Sequence, residues 1–147
     1  MAFVRSGQHL FVSEEAKTTL QRVRAYLDDK SQRLNVPIYG VNTGFGSLCN
    51  TVIAHEDLST LQKNLLLSHA CGMGEEVPTV IVKLMLLLKI RGVLYGHSGV
   101  QPATVELLAA LYNNDILPVV YTQGSLGASG DLAPLSHLCL PLIGYGE

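Results

Sequence analysis

The sequence carries few charged residues and almost no charge imbalance. Only 15% of its 147 residues are charged, and the formal net charge is −2. Nucleic acids and anionic membrane surfaces attract clustered basic residues, so we expect neither as a partner. Hydrophobic residues make up 48% of the chain. That excess predicts either surface for a subunit interface and a larger fold, or the ordinary packed core of one domain.

Cysteine is scarce as well, and its spacing argues against two kinds of site. Cys49, Cys71 and Cys139 are odd in number and far apart. They fit reduced thiols in the cytoplasm better than a disulfide framework, and they lack the spacing of metal ligands. His97 and His137 have no histidine four residues away on a helix, so we predict no metal site.

Long uninterrupted apolar runs are also missing. Residues 1–7 contain no continuous apolar stretch, which argues against a signal peptide. The most apolar run, residues 77–95, is broken by Lys83, Lys89 and Arg91, which favours a buried helix over a membrane-spanning one. We therefore expect a cytoplasmic protein.

What is present is a pattern of helical periodicity along most of the chain. Ser13 is a candidate N-cap of a first helix, and Glu14 and Glu15 suit the positive end of its dipole. Asp131 is a candidate cap of the last helix. The pattern predicts helices over residues 13–29, 55–71, 77–94 and 102–113, irregular chain over 34–50 and an extended segment over 117–121.

Two helix boundaries rest on single residues. Gly72 is a candidate terminator of the second helix, on which Leu58, Leu61, Leu65 and His69 share one face. Glu75-Glu76, just before a proline, suits the solvated start of the third helix better than a pair of catalytic carboxylates.

The triplet Ala128-Ser129-Gly130 lies in a glycine-rich stretch and can become an electrophile. Gly130 has no Cβ, so its amide nitrogen can fold back onto the carbonyl carbon of Ala128. Ring closure and loss of the Ser129 hydroxyl each expel one water and leave 4-methylidene-imidazol-5-one, a strong Michael acceptor. The triplet alone fits a flexible turn before a capped helix equally well.

Three segments together resemble the ammonia-lyase and aminomutase family that acts on histidine, phenylalanine and tyrosine. Residues 124–137, Gly-Ser-Leu-Gly-Ala-Ser-Gly-Asp-Leu-Ala-Pro-Leu-Ser-His, match the family signature. Residues 39–46, Tyr-Gly-Val-Asn-Thr-Gly-Phe-Gly, look like the family's tyrosine loop, and residues 61–72 contain Ser68-His69. The resemblance implies a mainly α fold: the helical N-terminal part of the ammonia-lyase fold, with short extended segments and a glycine-rich electrophile loop.

The resemblance implies that the electrophile forms autocatalytically from Ala128, Ser129 and Gly130, with no external cofactor. Asp131 is a supporting residue that helps to hold this loop in the bent form that cyclises. The resemblance implies covalent capture of the substrate by the electrophile, either at the amine, which then becomes a better leaving group, or at the aromatic ring.

The resemblance also assigns Tyr39 as the base that removes the substrate's β-proton, with Gly46 as a supporting residue. A free phenol ionises only near about pH 10, so this role requires positive neighbours or hydrogen-bond donors around the phenol.

Ser68 and His69 occupy the position of a substrate-selective pair. By itself, a histidine on the leucine face of a helix is normally a core residue. Phenylalanine-type members carry apolar residues at this position, whereas histidine-type members and some bacterial tyrosine aminomutases carry Ser-His. The resemblance therefore implies elimination of ammonia from L-histidine to give trans-urocanate. A tyrosine aminomutase with the same electrophile, and a non-catalytic helical assembly module, are the alternatives.

Family enzymes are longer than this chain, and their active sites draw residues from several subunits of a homotetramer. We expect residues 1–147 to be the N-terminal, electrophile-bearing domain of a truncated enzyme, inactive by itself. The arginine that holds the substrate's carboxylate would lie outside it.

Overall fold

The computed structural model describes residues 4, 6–33 and 36–147, without the side chain of Ser129. Part of the segment considered for a signal peptide, and Leu34 and Asn35 of the predicted irregular chain, lie outside these residues. The regular structure is mainly helical, as predicted. Its elements are α1 Glu14–Arg33, α2 Leu58–His69, β1 Met73–Glu76, α3 Thr79–Leu94, α4 Pro102–Asn113, β2 Tyr121–Gln123 and α5 Leu132–Cys139.

The first helix begins where the sequence predicts and ends later. The Ser13 hydroxyl accepts a hydrogen bond from the Ala16 amide at 3.2 Å, which is the N-cap geometry. The helix continues to Arg33 rather than ending near Asp29. An ion pair between these two side chains, with 2.6 Å between Arg33 Nε and the Asp29 carboxylate, supports the extra turn.

The core lies where α3 and α4 pack on each other and on α1. Four residues of α3 form one buried stripe, and Val105, Leu108 and Tyr112 of α4 face it. The spacing of the stripe is that of a helix with one fully buried face. The rest of α3 is mostly half-buried, so the predicted buried helix over residues 77–94 is confirmed. The stripe consists of Val82, Leu86, Ile90 and Val93.

A short antiparallel ribbon corrects two predictions about the chain after α2. Glu75 and Glu76 belong to the exposed strand β1, not to a helix start, and Glu76 pairs with Tyr121 of β2. Gly72 does not terminate α2, since the helix ends at His69 with Ala70 as its C-cap. Gly72 instead provides room, because a Cβ there would lie 2.9 Å from Nε2 of His137.

The predicted extended segment over residues 117–121 is displaced along the chain. The strand that forms is Tyr121–Gln123, and the residues before it lack regular structure. The Val120 carbonyl accepts a hydrogen bond from the Val77 amide at 2.7 Å. This bond connects the residue just before β2 to the segment just before α3.

Candidate functional site

The backbone around Tyr39 forms a tight turn. The Ile38 carbonyl accepts hydrogen bonds from the amides of Val41 at 3.0 Å and Asn42 at 3.2 Å. Gly40 has φ +69°, the sign of φ that a type II turn requires at its third residue. The buried Asn42 side chain closes the turn by accepting a hydrogen bond from the Ile38 amide at 2.6 Å. Tyr39 therefore lies in a segment without regular secondary structure whose backbone is fixed by several hydrogen bonds.

Phe45 lies between Tyr39 and His69. Its ring centroid is 5.6 Å from that of Tyr39 and 5.5 Å from that of His69, edge-on to the histidine. These separations are typical of favourable aromatic pairs. The tyrosine side chain is 63% exposed, and its oxygen accepts a long hydrogen bond, 3.5 Å, from the Gly46 amide. The structure thus brings together three of the predicted site residues, Tyr39, Gly46 and His69.

The ring of His69 is held in one orientation by its own helix. Nδ1 lies 2.7 Å from the Leu65 carbonyl oxygen and 3.1 Å from Oγ of Ser68. A carbonyl oxygen only accepts, so Nδ1 must carry the proton. The neutral ring then has its lone pair on Nε2. His69 and Ser68 are therefore linked by a hydrogen bond at Nδ1. Nε2 is the atom that can accept a hydrogen bond from a ligand.

The backbone of the glycine-rich loop is bent at the triplet. Residues Gly127–Ser129 form a single 3₁₀ turn, and the Gly130 amide donates to the Gly127 carbonyl at 3.1 Å. Gly130 has φ +86°, and a Cβ there would meet nothing within 4 Å. The turn thus brings the nitrogen of Gly130 to the carbonyl of Gly127, the residue that precedes the triplet. The side chain of Ser129 lies outside the described residues.

Asp131 holds the loop in a different way from the one predicted. It occupies the N-cap position of α5, but its side chain makes no capping hydrogen bond because its backbone is left-handed, with φ 56° and ψ 43°. An N-cap side chain reaches the first helical amides from extended backbone. The carboxylate instead accepts a hydrogen bond from the Ser125 hydroxyl at 3.0 Å. This bond spans the triplet and closes the loop.

The chain after His69 and the start of the loop are packed together. A Cβ on Gly124 would lie 3.0 Å from the Cys71 carbonyl oxygen and 3.0 Å from Cα of Gly72. The Gly72 amide donates to Nε2 of His137 on α5 at 2.9 Å. These contacts place the end of α2 beside the start of the loop. Among the contacts that the structure describes, none joins Tyr39 or His69 directly to the triplet.

Burial lowers the pKa of His137 below its ordinary value of 6.5. The direction agrees with the hydrogen bond, because only a neutral ring can accept at Nε2. The ring of Tyr121 packs edge-on against it, with 5.3 Å between ring centroids. His137 therefore acts as a neutral hydrogen-bond acceptor between α5 and the chain that follows α2.

Sequence reasoning did not single out Phe45 or Gln62, and it considered His137 only as a metal ligand. Gln62 donates from its side-chain amide to the carbonyls of Gly40 at 3.0 Å and Val41 at 3.1 Å. One available signal was its position seven residues before His69, which places both residues on one helix face. Phe45 carried no signal of its own outside the glycine-rich motif.

The described part of the chain offers neither a metal-binding cluster nor a membrane-spanning helix. No group of three His, Cys, Asp or Glu side chains there is arranged to hold a metal ion. Within the same residues, no helix combines the length and the apolar character needed to cross a membrane.

Comparison with known proteins identifies the family. The family model described as aromatic amino acid lyase matches residues 1–147. A histidine ammonia-lyase from Deinococcus radiodurans is 50% identical over 147 residues, which are 100% of this chain and 28% of that protein. The chain belongs to the aromatic amino acid lyase family.

Solved structures share its fold. The ergothioneine-degrading enzyme ergothionase from Treponema denticola matches with a TM-score of 0.93 and 28% identity, over 99% of this chain and 29% of that one. A tyrosine aminomutase from Streptomyces globisporus matches with a TM-score of 0.86 and 34% identity, over 92% of this chain and 25% of that one. The chain thus spans less than a third of the length of these relatives.

Proposed function

We propose that these residues are the electrophile-bearing domain of a histidine ammonia-lyase, which eliminates ammonia from L-histidine to give trans-urocanate. The observation that carries the proposal is the row Tyr39, Phe45 and His69. It places a candidate base and a candidate ligand for a polar substrate side chain on one surface. The packing of Gly124 on the chain after His69 brings the triplet to that end of the molecule.

Residues 128–130 fit the electrophile that the family resemblance implies. The bent backbone, the positive φ of Gly130 and the open space around it suit closure of a five-membered ring. Ala128, Ser129 and Gly130 would form that 4-methylidene-imidazol-5-one. When formed, it supplies the covalent capture that makes the amino group of the substrate a better leaving group.

Tyr39 is proposed as the general base. Its oxygen would remove the proton from the β-carbon of the substrate. The elimination requires this proton removal in addition to loss of the amino group. The Gly46 amide already points at that oxygen from 3.5 Å. A donor in this position stabilises the phenolate and so supports proton removal.

His69 is proposed to select the substrate. With Nδ1 engaged by the Leu65 carbonyl, Nε2 presents an acceptor that matches the N–H of a substrate imidazole. A phenyl ring offers no donor, so phenylalanine would leave this acceptor unpaired. The hydroxyl of tyrosine is also a donor. A tyrosine aminomutase with the same electrophile is therefore the second candidate, and the structural likeness to one such enzyme favours keeping it.

The proposal extends to the assembly and the compartment. We expect a homo-oligomer, in the homotetrameric form that the family resemblance implies, with site residues from other subunits. The free thiols of Cys49, Cys71 and Cys139 suit a reducing cytoplasm.

The test uses the full-length protein that contains this chain. Incubation with L-histidine is expected to yield trans-urocanate and ammonia in equal amounts, and incubation with L-tyrosine no β-amino acid. The variant Ser129→Ala cannot form the electrophile, so its intact mass should lack the loss of two waters and its turnover should vanish. A β-amino acid from tyrosine with no urocanate from histidine would support the aminomutase. Unchanged turnover in Ser129→Ala would contradict both and favour a role in assembly alone.

A further inference from the structure

The tyrosine loop, counted with Ile38 as residues 38–46, contacts α2 through hydrogen bonds from Gln62 and through the packing of Phe45 on His69. Nε2 of Gln62 donates to the carbonyls of Gly40 at 3.0 Å and Val41 at 3.1 Å. These are the two residues that follow Tyr39. Because both partners are carbonyls, the amide must present its nitrogen, and the two bonds use both of its hydrogens. The contact is therefore specific for a side chain with two donors in this place.

The turn that carries Tyr39 is bonded on two sides. On one side the side chain of Asn42 accepts from the Ile38 amide at 2.6 Å, which is a bond within the loop itself. On the other side Gln62 provides the hydrogen bonds that connect the turn to a helix. Loss of the Gln62 amide would leave the turn formed and the Phe45–His69 ring contact in place, but would remove the directional bonds from Gln62 that fix the position of the turn on α2.

The same helix, α2, also carries His69. Gln62 and His69 are seven residues apart in α2, which is two helical turns, so they lie on one face. Phe45 fills the space between the tyrosine and histidine rings at 5.6 Å and 5.5 Å. One rigid element thus sets both the base and the substrate-selective histidine, and supporting contacts of this kind decide how well a reacting group is placed.

We propose that Gln62 is a positioning residue: its amide fixes the tyrosine loop on α2 and so sets Tyr39 relative to His69. This inference rests on the proposed function for its catalytic consequence, and on geometry alone for its structural one. A shift of the loop displaces the base from the β-proton while leaving groups that bind the substrate in place. It therefore lowers kcat more than it changes KM.

The test compares three substitutions at Gln62 in the full-length protein. Gln62→Met keeps the size of the side chain and removes the donors, and Gln62→Glu places a carboxylate against two carbonyl oxygens. Gln62→Lys keeps N–H donors within reach of both carbonyls. The matched control is Asn64→Asp, which adds the same charge change as Gln62→Glu at an exposed position of α2 with no described contact to the loop.

Two measurements are made on each variant: hydrogen exchange of the amides in residues 38–46, and turnover of L-histidine. We expect faster exchange in this segment and a kcat about tenfold lower in Gln62→Met, since misplacement of a reacting group by about 1 Å is known to cost up to about a hundredfold. Gln62→Glu should be worse, Gln62→Lys should recover most of the loss, and Asn64→Asp should match the wild type. Intact mass should show the same loss of two waters in all of them.

The proposal would be overturned if the Gln62→Met variant showed the same amide hydrogen exchange in residues 38–46 and the same kcat as the wild type. A Gln62→Lys variant as impaired as Gln62→Met would also overturn it, as would faster exchange throughout the protein instead of in the loop. If the wild type turns over no amino acid, the proposed function fails by itself. The exchange measurements then still decide whether Gln62 holds the loop.

Discussion

At the scale of single residues, hydrogen bonds to backbone set the same tautomer, with the proton on Nδ1, for two histidines. His69 must carry its proton on Nδ1 because that atom faces a carbonyl oxygen. His137 must leave Nε2 unprotonated because that atom faces an amide N–H. The first arrangement leaves an acceptor for a ligand, and the second uses the acceptor within the fold. The same residue type therefore leaves its acceptor open in one position and uses it for packing in the other.

Tyr39 is the residue on which the proposed chemistry most depends. In the full-length protein, Tyr39→Phe keeps the ring that packs on Phe45 and removes only the oxygen. We expect kcat for L-histidine to fall by about 10² to 10⁴, the usual contribution of a positioned base, with KM changed little. Intact mass should show that the electrophile still forms. A kcat within a few-fold of the wild type would exclude Tyr39 as the base.

At the scale of elements, α2 and the β1–β2 ribbon bring distant segments together. The tyrosine loop attaches to the side of α2 through Gln62, and Gly124 of the glycine-rich loop packs on Cys71 and Gly72, just after the end of α2. His137 of α5 completes this junction by accepting from the Gly72 amide. The geometry between the two loops therefore depends on contacts at one helix and its end.

This junction is expected to weaken in acid. Burial lowers the pKa of His137 in the fold, so the fold favours the neutral ring. The resulting stability is fully present above the ordinary pKa of 6.5 and is lost as the pH falls through the lowered value. Protonation also removes the acceptor that the Gly72 amide needs.

The measurement is the melting temperature of the full-length protein against pH, from about pH 7.5 to about pH 5, for the wild type and His137→Gln. Glutamine keeps an acceptor but does not titrate. The wild type should therefore lose more stability than the variant as the pH falls. Parallel curves for the two proteins would show that His137 does not titrate in this range, and that the junction is insensitive to acid.

At the scale of the whole molecule, a buried core and exposed apolar side chains occur together. The α1, α3 and α4 helices bury a continuous cluster, while Leu88 is 55% and Tyr95 59% exposed. The chain spans 28% of the length of the Deinococcus radiodurans relative. The ring closure proposed for residues 128–130 strains the backbone, and such strain persists only when the surrounding fold holds it.

We expect residues 1–147 expressed alone to keep the unreacted Ala128-Ser129-Gly130 triplet. The 3₁₀ turn bends the backbone and the Ser125–Asp131 bond closes the loop, but the described residues of the loop are exposed to solvent instead of being compressed by surrounding structure. Intact mass should equal that of the encoded chain, whereas the full-length protein should be lighter by two waters. A domain expressed alone that already lacks two waters would show that these residues suffice for ring closure.

The motifs that carry chemistry were readable from the sequence because their residue types are chemically specific. The triplet, Tyr39 and Ser68-His69 were all identified that way, and the helices followed from apolar periodicity and from Ser13 as a cap. The helix-capping roles predicted for Asp131 and Gly72 were wrong, whereas the bond of Asp131 to Ser125 agrees with its predicted role in holding the loop. Asp131 instead bonds to Ser125 across the loop. Gly72 bonds to His137, which is distant along the chain.

The sequence by itself thus determined the family, the mainly helical character and which residues are candidates for chemistry. Those properties follow from local patterns of side chains. Tertiary structure alone decided that Phe45 packs on both Tyr39 and His69, that Gln62 bonds to the tyrosine loop, and that Nε2 of His137 is used within the fold. Such contacts join segments far apart in the chain and depend on directional hydrogen bonds, which no local pattern specifies.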